Sequence, residues 1–424
     1  MRLSELKDLV LNGGLDEKLT GLYGEEKTAE QRIRYAHILE KAIENIGDKE
    51  GCIFSAPGRT EIGGNHTDHQ LGRVVAASLN LDIVAAVVPT DDMTVRYYSD
   101  EFTVKPVDLG DLSIREADYN TTESLIRGIA AGIKGRGKEI GGFSAYAESD
   151  VIPGGGMSSS AAFEVLIGTI YNSLYASGSL SSEELAIIGQ FAENKYFGKP
   201  SGLLDQMACS VGSFAAMDFA DPAAPVVEKI DFNPADYGFD LILTDVKASH
   251  ADLGDEYAAV PKEMRAAAAV LGHEVLRDVS EVDLIANADR IRSECGDRAF
   301  LRAFHFVNET RRAKEQAEAL KNRDIDTFLR LVRESGHSSF MYLQNISVPG
   351  HTKDQPVALA LALSDALIKE NGAYRVHGGG FAGTIQAFVK KENTPAYVAA
   401  LERAFGKGSC YIMRIRDCGG IKVI

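Results

Sequence analysis

Between residues 151 and 165 the chain reads VIPGGGMSSSAAFEV: three glycines, a methionine, three serines, then apolar residues at helical spacing. Gly154, Gly155 and Gly156 free the backbone of Cβ atoms, so that its N–H groups can close around an anion. Ser158, Ser159 and Ser160 stand at the cap and first-turn positions of the predicted helix, whose buried face is Phe163, Leu166, Ile167, Ile170 and Leu174. Unpaired N–H groups and the helix dipole favour negative charge at such a terminus. Serine hydroxyls add hydrogen bonds or a magnesium ligand, so the chemistry indicated is the cradling of a nucleotide phosphate. The same residues also suit a plain tight connection. No Gly-Lys-Ser/Thr follows at Walker spacing, and the glycines are not spaced as in a dinucleotide-binding turn.

Three further islands concentrate polar residues and glycine. APGRTEIGGNHTDHQLG, residues 56–72, crowds Arg59, Glu61, Asn65, His66, Asp68 and His69 between two strand-like runs. Carboxylates accept from vicinal hydroxyls and arginine donates in a fixed fork, which suits a polyhydroxylated ligand. A solvated loop is the plain alternative. In AENKYFGKPSGLLDQMA, residues 192–208, Glu193 falls on a helix and Asp205 follows a glycine turn, among Leu203, Leu204, Met207 and Ala208. A carboxylate in that apolar company is costly without a partner. A magnesium ligand together with a general base accounts for both acids. RVHGGGFAGTIQAFV, residues 375–389, runs Gly378, Gly379, Gly380 and Gly383 into a strand, either as a hairpin or as a second loop converging on one anion.

The elements that must position these islands follow from periodicity and breakers. Residues 1–50 read as amphipathic helices, strongest from Glu30 to Ile46. A strand is predicted at 52–56, a polar loop to Leu71, and one or two buried strands across the β-branched and alanine-rich 74–88. Glu183 to Phe197 reads as a helix closed by Gly198 and Pro200. Further helices are expected around 256–271, 300–335 and 356–370, with strands at 241–244, 384–389 and 411–415. The stretch 218–238 holds three prolines and predicts a domain junction, dividing the chain into 1–217 and 218–424. Strands early and late among helices indicate an α+β protein in two lobes.

With 424 residues, 45% hydrophobic and 25% charged, the chain has the composition of a soluble protein with more than one core. A formal charge of −16 argues against a nucleic-acid or anionic-membrane surface, but not against ATP, which needs local N–H groups and a metal. Five scattered cysteines without a Cys-x-x-Cys pair fit reduced thiols rather than disulfides or a zinc site. No signal-peptide pattern and no run of eighteen apolar residues is seen, which predicts a cytoplasmic protein without a membrane partner.

Taken in this order, the four islands resemble the GHMP small-molecule kinases, and within them the galactokinase branch. The Gly-Arg start and later His-Thr-Asp of residues 56–72 are similar to the sugar signature of that branch. AENKYFGKPSGLLDQ resembles its Ala-Glu…Gly…Asp-Gln segment, and LTDVKASHADLGDEYAAV, residues 243–260, the segment that brings a tyrosine to the sugar. The resemblance runs from about Ser55 to the C-terminus. It implies a ribosomal-protein-S5-type N-terminal lobe and a ferredoxin-like C-terminal lobe, with ATP and a small-molecule sugar between them. The chain would act as a monomer or weak homo-oligomer.

By the same resemblance, Gly154, Gly155, Gly156, Met157, Ser158, Ser159 and Ser160 wrap the ATP phosphates, and Ser160 and Glu193 hold Mg2+. Asp205 is the base or orienting carboxylate at the anomeric hydroxyl, and Arg59 stabilises Asp205 and the transferring phosphoryl group. Asn65, His66, Asp68 and Tyr257 hold sugar hydroxyls. The implied activity is a sugar 1-kinase, a phosphotransferase with an alcohol acceptor, with galactose as the expected sugar. The chain departs from the family pattern at two places: Asn65 replaces a glutamate that holds the C6 hydroxyl, and Glu61 replaces an asparagine. An amide at 65 also tolerates a C6 carboxylate that a glutamate would repel. A galacturonate-type kinase, which Asp-His-Gln at 68–70 also resembles, and a non-catalytic sugar and ATP sensor are therefore the alternatives. On this view the choice of sugar lies at Asn65.

Overall fold

The computed structural model describes residues 1–151, 156–248 and 253–424. Its centre is an antiparallel pair, β1 (Cys52–Gly63) and β2 (Arg73–Pro89). Successive residues on these strands serve different cores, as a period of two requires. Phe54, Ala85 and Val87 enter one cluster, whereas Ile53, Val84, Ala86 and Val88 enter another. Because both faces are covered, the strands read as almost unbroken apolar runs.

The first sheet has eight strands in the order β12-β1-β2-β5-β3-β4, with β6 pairing β2 and β7 pairing β6. Its other members are β3 (Thr94–Tyr98), β4 (Val107–Asp108), β5 (Phe143–Ser149), β6 (Phe214–Asp218), β7 (Val226–Ile230) and β12 (Ile421–Lys422). β7 lies inside the proline-rich stretch 218–238, and β12 returns from the end of the chain, so this sheet draws strands from both sides of residue 217. The second sheet is antiparallel, in the order β11-β8-β10-β9. It comprises β8 (Phe239–Asp245), β9 (Ala373–His377), β10 (Thr384–Lys390) and β11 (Cys410–Met413).

Helices α1 (Leu3–Leu11), α2 (Asp16–Tyr23) and α3 (Thr28–Ile46) cover the outer face of the first sheet. Leu3, Leu6, Val10, Leu19 and Leu39 are at most 1% exposed, and each such burial contributes about 1.5–3 kcal/mol. Asp82 on β2 pins this layer in place. It accepts from Arg34 of α3 at 2.8 Å, Arg416 at 2.9 Å, Tyr23 of α2 at 2.5 Å, and the hydroxyl of Ser55. Burial alone would raise its carboxyl, but the two guanidiniums outweigh it and hold it below the ordinary value.

The inner face packs on α4 (Thr122–Gly135), α5 (Ser159–Tyr175) and α6 (Ser182–Ala192), with α7 (Leu204–Val211) following. α8 (Gly254–Val270), α9 (Glu281–Ala286), α10 (Ala288–Cys295) and α11 (Asp297–Lys321) form a helical cluster around Met264, Leu284, Ile291 and Phe306. α12 (Ile325–Ser338) packs Phe328, Leu331 and Val332 against Leu241, Leu243 and Phe388 of the second sheet, within the cluster that also holds Phe54 and Val75 of the first. α13 (Pro356–Ile368) and α14 (Thr394–Phe405) cover the remaining face.

Two sequence expectations change. The polar loop from residue 57 is in part strand: β1 continues to Gly63, paired with Val75–Ser78. Register shifts at Pro57/Arg59 and Glu61/Gly63 interrupt the ladder there, and such bulges re-aim side chains beside sites. The helical stretch 300–335 is two helices, broken where Arg323 adopts a φ of 57°.

Candidate functional site

Asp205 lies in the first turn of α7, where the N-terminal dipole favours a carboxylate. Its Oδ1 accepts from Arg59 Nε at 2.7 Å and NH2 at 2.6 Å, and its Oδ2 from Ser158 Oγ at 2.8 Å. The remaining guanidinium nitrogen of Arg59, NH1, donates to the carbonyl of Gly156. Burial pushes the Asp205 carboxyl up, but Arg59 and Ser158 outweigh it and hold it below the ordinary value. Asp205 is therefore an ionised acceptor at neutral pH, with 35% of its side chain still facing solvent. One ion pair thus joins the bulged β1, the start of α7 and the start of α5.

Gly154 and Gly155 lie outside the described residues. From Gly156 onward the loop is described, and Met157 is wholly buried. Ser158 is the residue before α5, but not as a capping serine: its φ is 57°, its side chain makes no cap bond, and its hydroxyl goes to Asp205. Ser159 begins the helix. Ser160 Oγ reaches Glu193 Oε1 at 3.5 Å.

Glu193 opens a π-helical turn, Glu193–Phe197, that closes on Gly198 in the left-handed region, a device common at functional sites. It is 2% exposed and accepts from Lys199 at 2.8 Å, Ser201 at 2.6 Å and Gln206 at 2.8 Å. Gln206 also donates to Glu164 at 2.9 Å, whose carboxyl burial and then the charge of Glu193 push well above the ordinary value. Among the described residues no group of three or more His, Cys, Asp or Glu could hold a metal alone. A nucleotide-bound Mg2+ needs only one or two protein ligands beside phosphate oxygens. Ser160 and Glu193 offer a hydroxyl and a carboxylate of that kind, and the Glu193 carboxylate is here paired with the Lys199 ammonium.

The second glycine run is the loop of the β9–β10 hairpin, and it meets the first. A Cβ on Gly156 would come within 3.3 Å of His377 Nδ1 and Thr384 Oγ1, and one on Gly378 within 3.7 Å of the Gly156 carbonyl. His66 Nε2 donates to the carbonyl of Gly379 at 3.0 Å, and Tyr257 Oη to that of Gly380 at 2.8 Å. Asp68 sits in a short 3-10 turn against Gly202, where any side chain would collide with its Oδ2. Burial, with the nearby charge of Asp205 adding to it, pushes the Asp68 carboxyl up to about 6.

Asn65 departs from its expected place. It is wholly buried and its amide is committed to protein partners. Nδ2 donates to Glu61 Oε1 at 2.8 Å and the Gly378 carbonyl at 2.9 Å, and Oδ1 accepts from Asn345 at 2.9 Å and Ser339 at 3.2 Å. No donor or acceptor of this side chain is left for a C6 substituent. The fixed positive charge beside it, Arg375, is paired with Glu61 at 2.9 Å. Gln206 stands in the Asp-Gln pair of its motif, but Glu164, Lys199, Asn345 and His377 were singled out by none. Only the apolar setting of Glu164 within α5 marks any of them in the sequence.

The chain is similar to known proteins in sequence and in fold. Residues 43–89 match the galactokinase galactose-binding signature and residues 124–213 the GHMP kinases N terminal domain. The chain is 31% identical over 379 residues to a galactokinase of Streptomyces coelicolor, covering 89% of this chain and 94% of that one. It is 30% identical over 361 residues to a galactokinase of Actinobacillus pleuropneumoniae serotype 3, covering 83% and 89%. Its fold is similar to that of Lactococcus lactis galactokinase complexed with galactose, with a TM-score of 0.78, 26% identity, and 92% of this chain and 100% of that one covered. Methanococcus jannaschii mevalonate kinase shares the fold alone, at a TM-score of 0.60 and 13% identity over 86% of this chain and 98% of that one.

Proposed function

This chain belongs to the galactokinases, a branch of the GHMP kinases, and on that premise we propose how its residues divide the work. The enzyme transfers the γ-phosphoryl group of ATP to the anomeric hydroxyl of galactose, giving galactose 1-phosphate and ADP. The observation that carries the assignment of roles is the Arg59–Asp205 pair, held where the start of α5 meets the start of α7. An ionised carboxylate there takes the hydrogen bond of the acceptor hydroxyl and orients its oxygen toward the γ-phosphorus. As the new oxygen–phosphorus bond forms and the bond to the bridging oxygen breaks, the hydroxyl proton passes to Asp205 and ADP leaves with the electron pair.

Arg59 keeps Asp205 charged before transfer and faces the equatorial oxygens during it. The loop from Gly156 to Ser160 and the N-terminus of α5 receive the phosphates. Ser160 and Glu193 would hold Mg2+, which when bound neutralises β- and γ-phosphate charge. Lys199 and Gln206 fix the Glu193 carboxylate for that purpose. His66, Asp68 and Tyr257 line the sugar side. The case for an acidic sugar drew on Asn65 facing C6 and on the resemblance of Asp-His-Gln at 68–70, and the Asn65 side chain is enclosed.

The experiment is an ADP-release assay with galactose, N-acetylgalactosamine, galacturonate, glucuronate and arabinose. Galactose is the expected substrate. Turnover of galacturonate in preference to galactose would overturn the choice of sugar, and no turnover of any sugar would overturn the catalytic reading.

A further inference from the structure

We infer that Asn65 is a positioning residue that clamps the C-terminal glycine loop to the sugar-binding loop, and so sets nucleotide affinity from the sugar side of the cleft. The inference rests on the galactokinase reading only for the identity of the two substrates.

Three successive carbonyls of the hairpin loop are each held by a donor from elsewhere. Gly378 accepts from Asn65 at 2.9 Å, Gly379 from His66 and Asn345 at 3.0 Å each, and Gly380 from Tyr257 at 2.8 Å. Asn345 uses its second amide hydrogen on Asn65 Oδ1 at 2.9 Å, and its own carbonyl accepts from the Phe381 N–H at 2.5 Å. Asn65 and Asn345 thus form one unit that grips the loop at Gly378, Gly379 and Phe381.

The unit is itself braced. His305 Nε2 donates to the Asn65 carbonyl at 2.9 Å while its Nδ1 takes the hydroxyl of Ser338 at 2.9 Å. The Gly64 N–H donates to Glu309 at 2.9 Å. On the other side Glu61, 7% exposed, takes one hydrogen of Asn65 and one of Arg375, so a flipped amide would set its oxygen against a buried carboxylate. The gripped loop abuts Gly156, whose carbonyl takes Arg59. Its position therefore bears on the phosphate side of the site, although Asn65 itself belongs to the sugar loop.

A sugar contact at Asn65 would affect galactose alone, whereas a clamp affects the nucleotide even without sugar. The test is equilibrium binding of a fluorescent ATP analogue in the absence of sugar, followed by KM for ATP and for galactose. Asn65→Ala and Asn345→Ala, which lie on different segments, should each weaken nucleotide binding by about tenfold, the worth of a hydrogen bond lost in a buried network. Both should leave the ratio of galactose to galacturonate turnover unchanged. Asn65→Asp places a second carboxylate against Glu61 and should be worse than Ala. Adding Glu61→Gln, which removes that repulsion, should recover part of the loss. Melting curves separate these effects from misfolding, and Asn345→Ala carries the test if the variants at 65 do not fold.

Nucleotide binding within twofold of wild type in both alanine variants overturns the clamp. So does a change in sugar preference on Asn65→Ala, or no recovery in the Asn65→Asp, Glu61→Gln pair. A wild-type protein that binds the nucleotide but phosphorylates no sugar would sink the galactokinase reading while leaving the binding comparison readable.

Discussion

Substituting Asp205 by Asn and, separately, by Ala divides its chemical role from its structural one. Asn keeps an oxygen for Arg59 and Ser158 but removes the charge and the proton acceptor; Ala removes both. Proton acceptance by a positioned side chain is worth about 10²–10⁴ in rate, or about 3–5 kcal/mol of barrier. Both variants should therefore lose that factor in kcat. Their stabilities should differ. Ala strands Arg59, which is 7% exposed and has two nitrogens on Asp205. Breaking a buried pair costs about 3–5 kcal/mol, but 35% of the Asp205 side chain meets solvent, which reduces the figure to about 1–3 kcal/mol. The Asn variant should lose less than about 1 kcal/mol. Coupled ADP release measures the first effect and thermal melting the second, with nucleotide binding as a control that stays near wild type. An Asn variant within tenfold of wild-type kcat would refute the proton-acceptor role. Equal melting losses in the two variants would refute the anchoring of Arg59. Because Arg59 holds the carboxyl below its ordinary value, the acid limb of kcat/KM due to Asp205 should lie below the ordinary carboxylate range.

Asp82→Ala should cost about 3–5 kcal/mol of stability, read by denaturant unfolding, with kcat nearly unchanged, because it takes the buried carboxylate from Arg416 and leaves Arg34 paired with the part-exposed Asp150. Gly202→Ala must push Asp68 aside and should raise the KM for galactose several-fold while sparing the KM for ATP. Asp68, raised from 3.8 to about 6, binds its proton more tightly folded than unfolded, so its contribution to stability is present below pH ~4 and lost as pH rises through ~6. Asp68→Asn should accordingly flatten the pH dependence of the melting temperature of the sugar-free protein between those values. A parallel pH profile in wild type and variant would count against a buried, raised Asp68.

Much of the fold was legible because its apolar periods are strong. The buried run of β2, the amphipathic helices of the first fifty residues and the strand β10 all follow from local pattern. What was not legible is where tertiary pairing overrides composition. Arg59, Thr60 and Glu61 look like loop residues, yet the neighbouring β2 supplies a ladder and the two bulges turn their polar side chains inward. The helix break at 322–324 likewise carries no proline or glycine, only an arginine in the left-handed region.

The site shows the same division more sharply. Residues whose placement needs only a local frame were visible: Asp205 after its glycine turn, the serines at the start of α5, and Glu193 on the helix before Gly198. Asn65 was read as facing the sugar because a single position in a signature carries no record of its long-range partners. Its four side-chain bonds reach Glu61, Ser339, Asn345 and Gly378, across as many as 313 positions of sequence. Two departures from the family pattern that looked independent, at 61 and 65, are one hydrogen-bonded pair. A carboxylate remains in the pair, carried by the strand instead of the loop and neutralised by Arg375. Discrimination among sugars must then come from groups that keep a face toward the cleft, and position 65 acts on the reaction through the loop it holds.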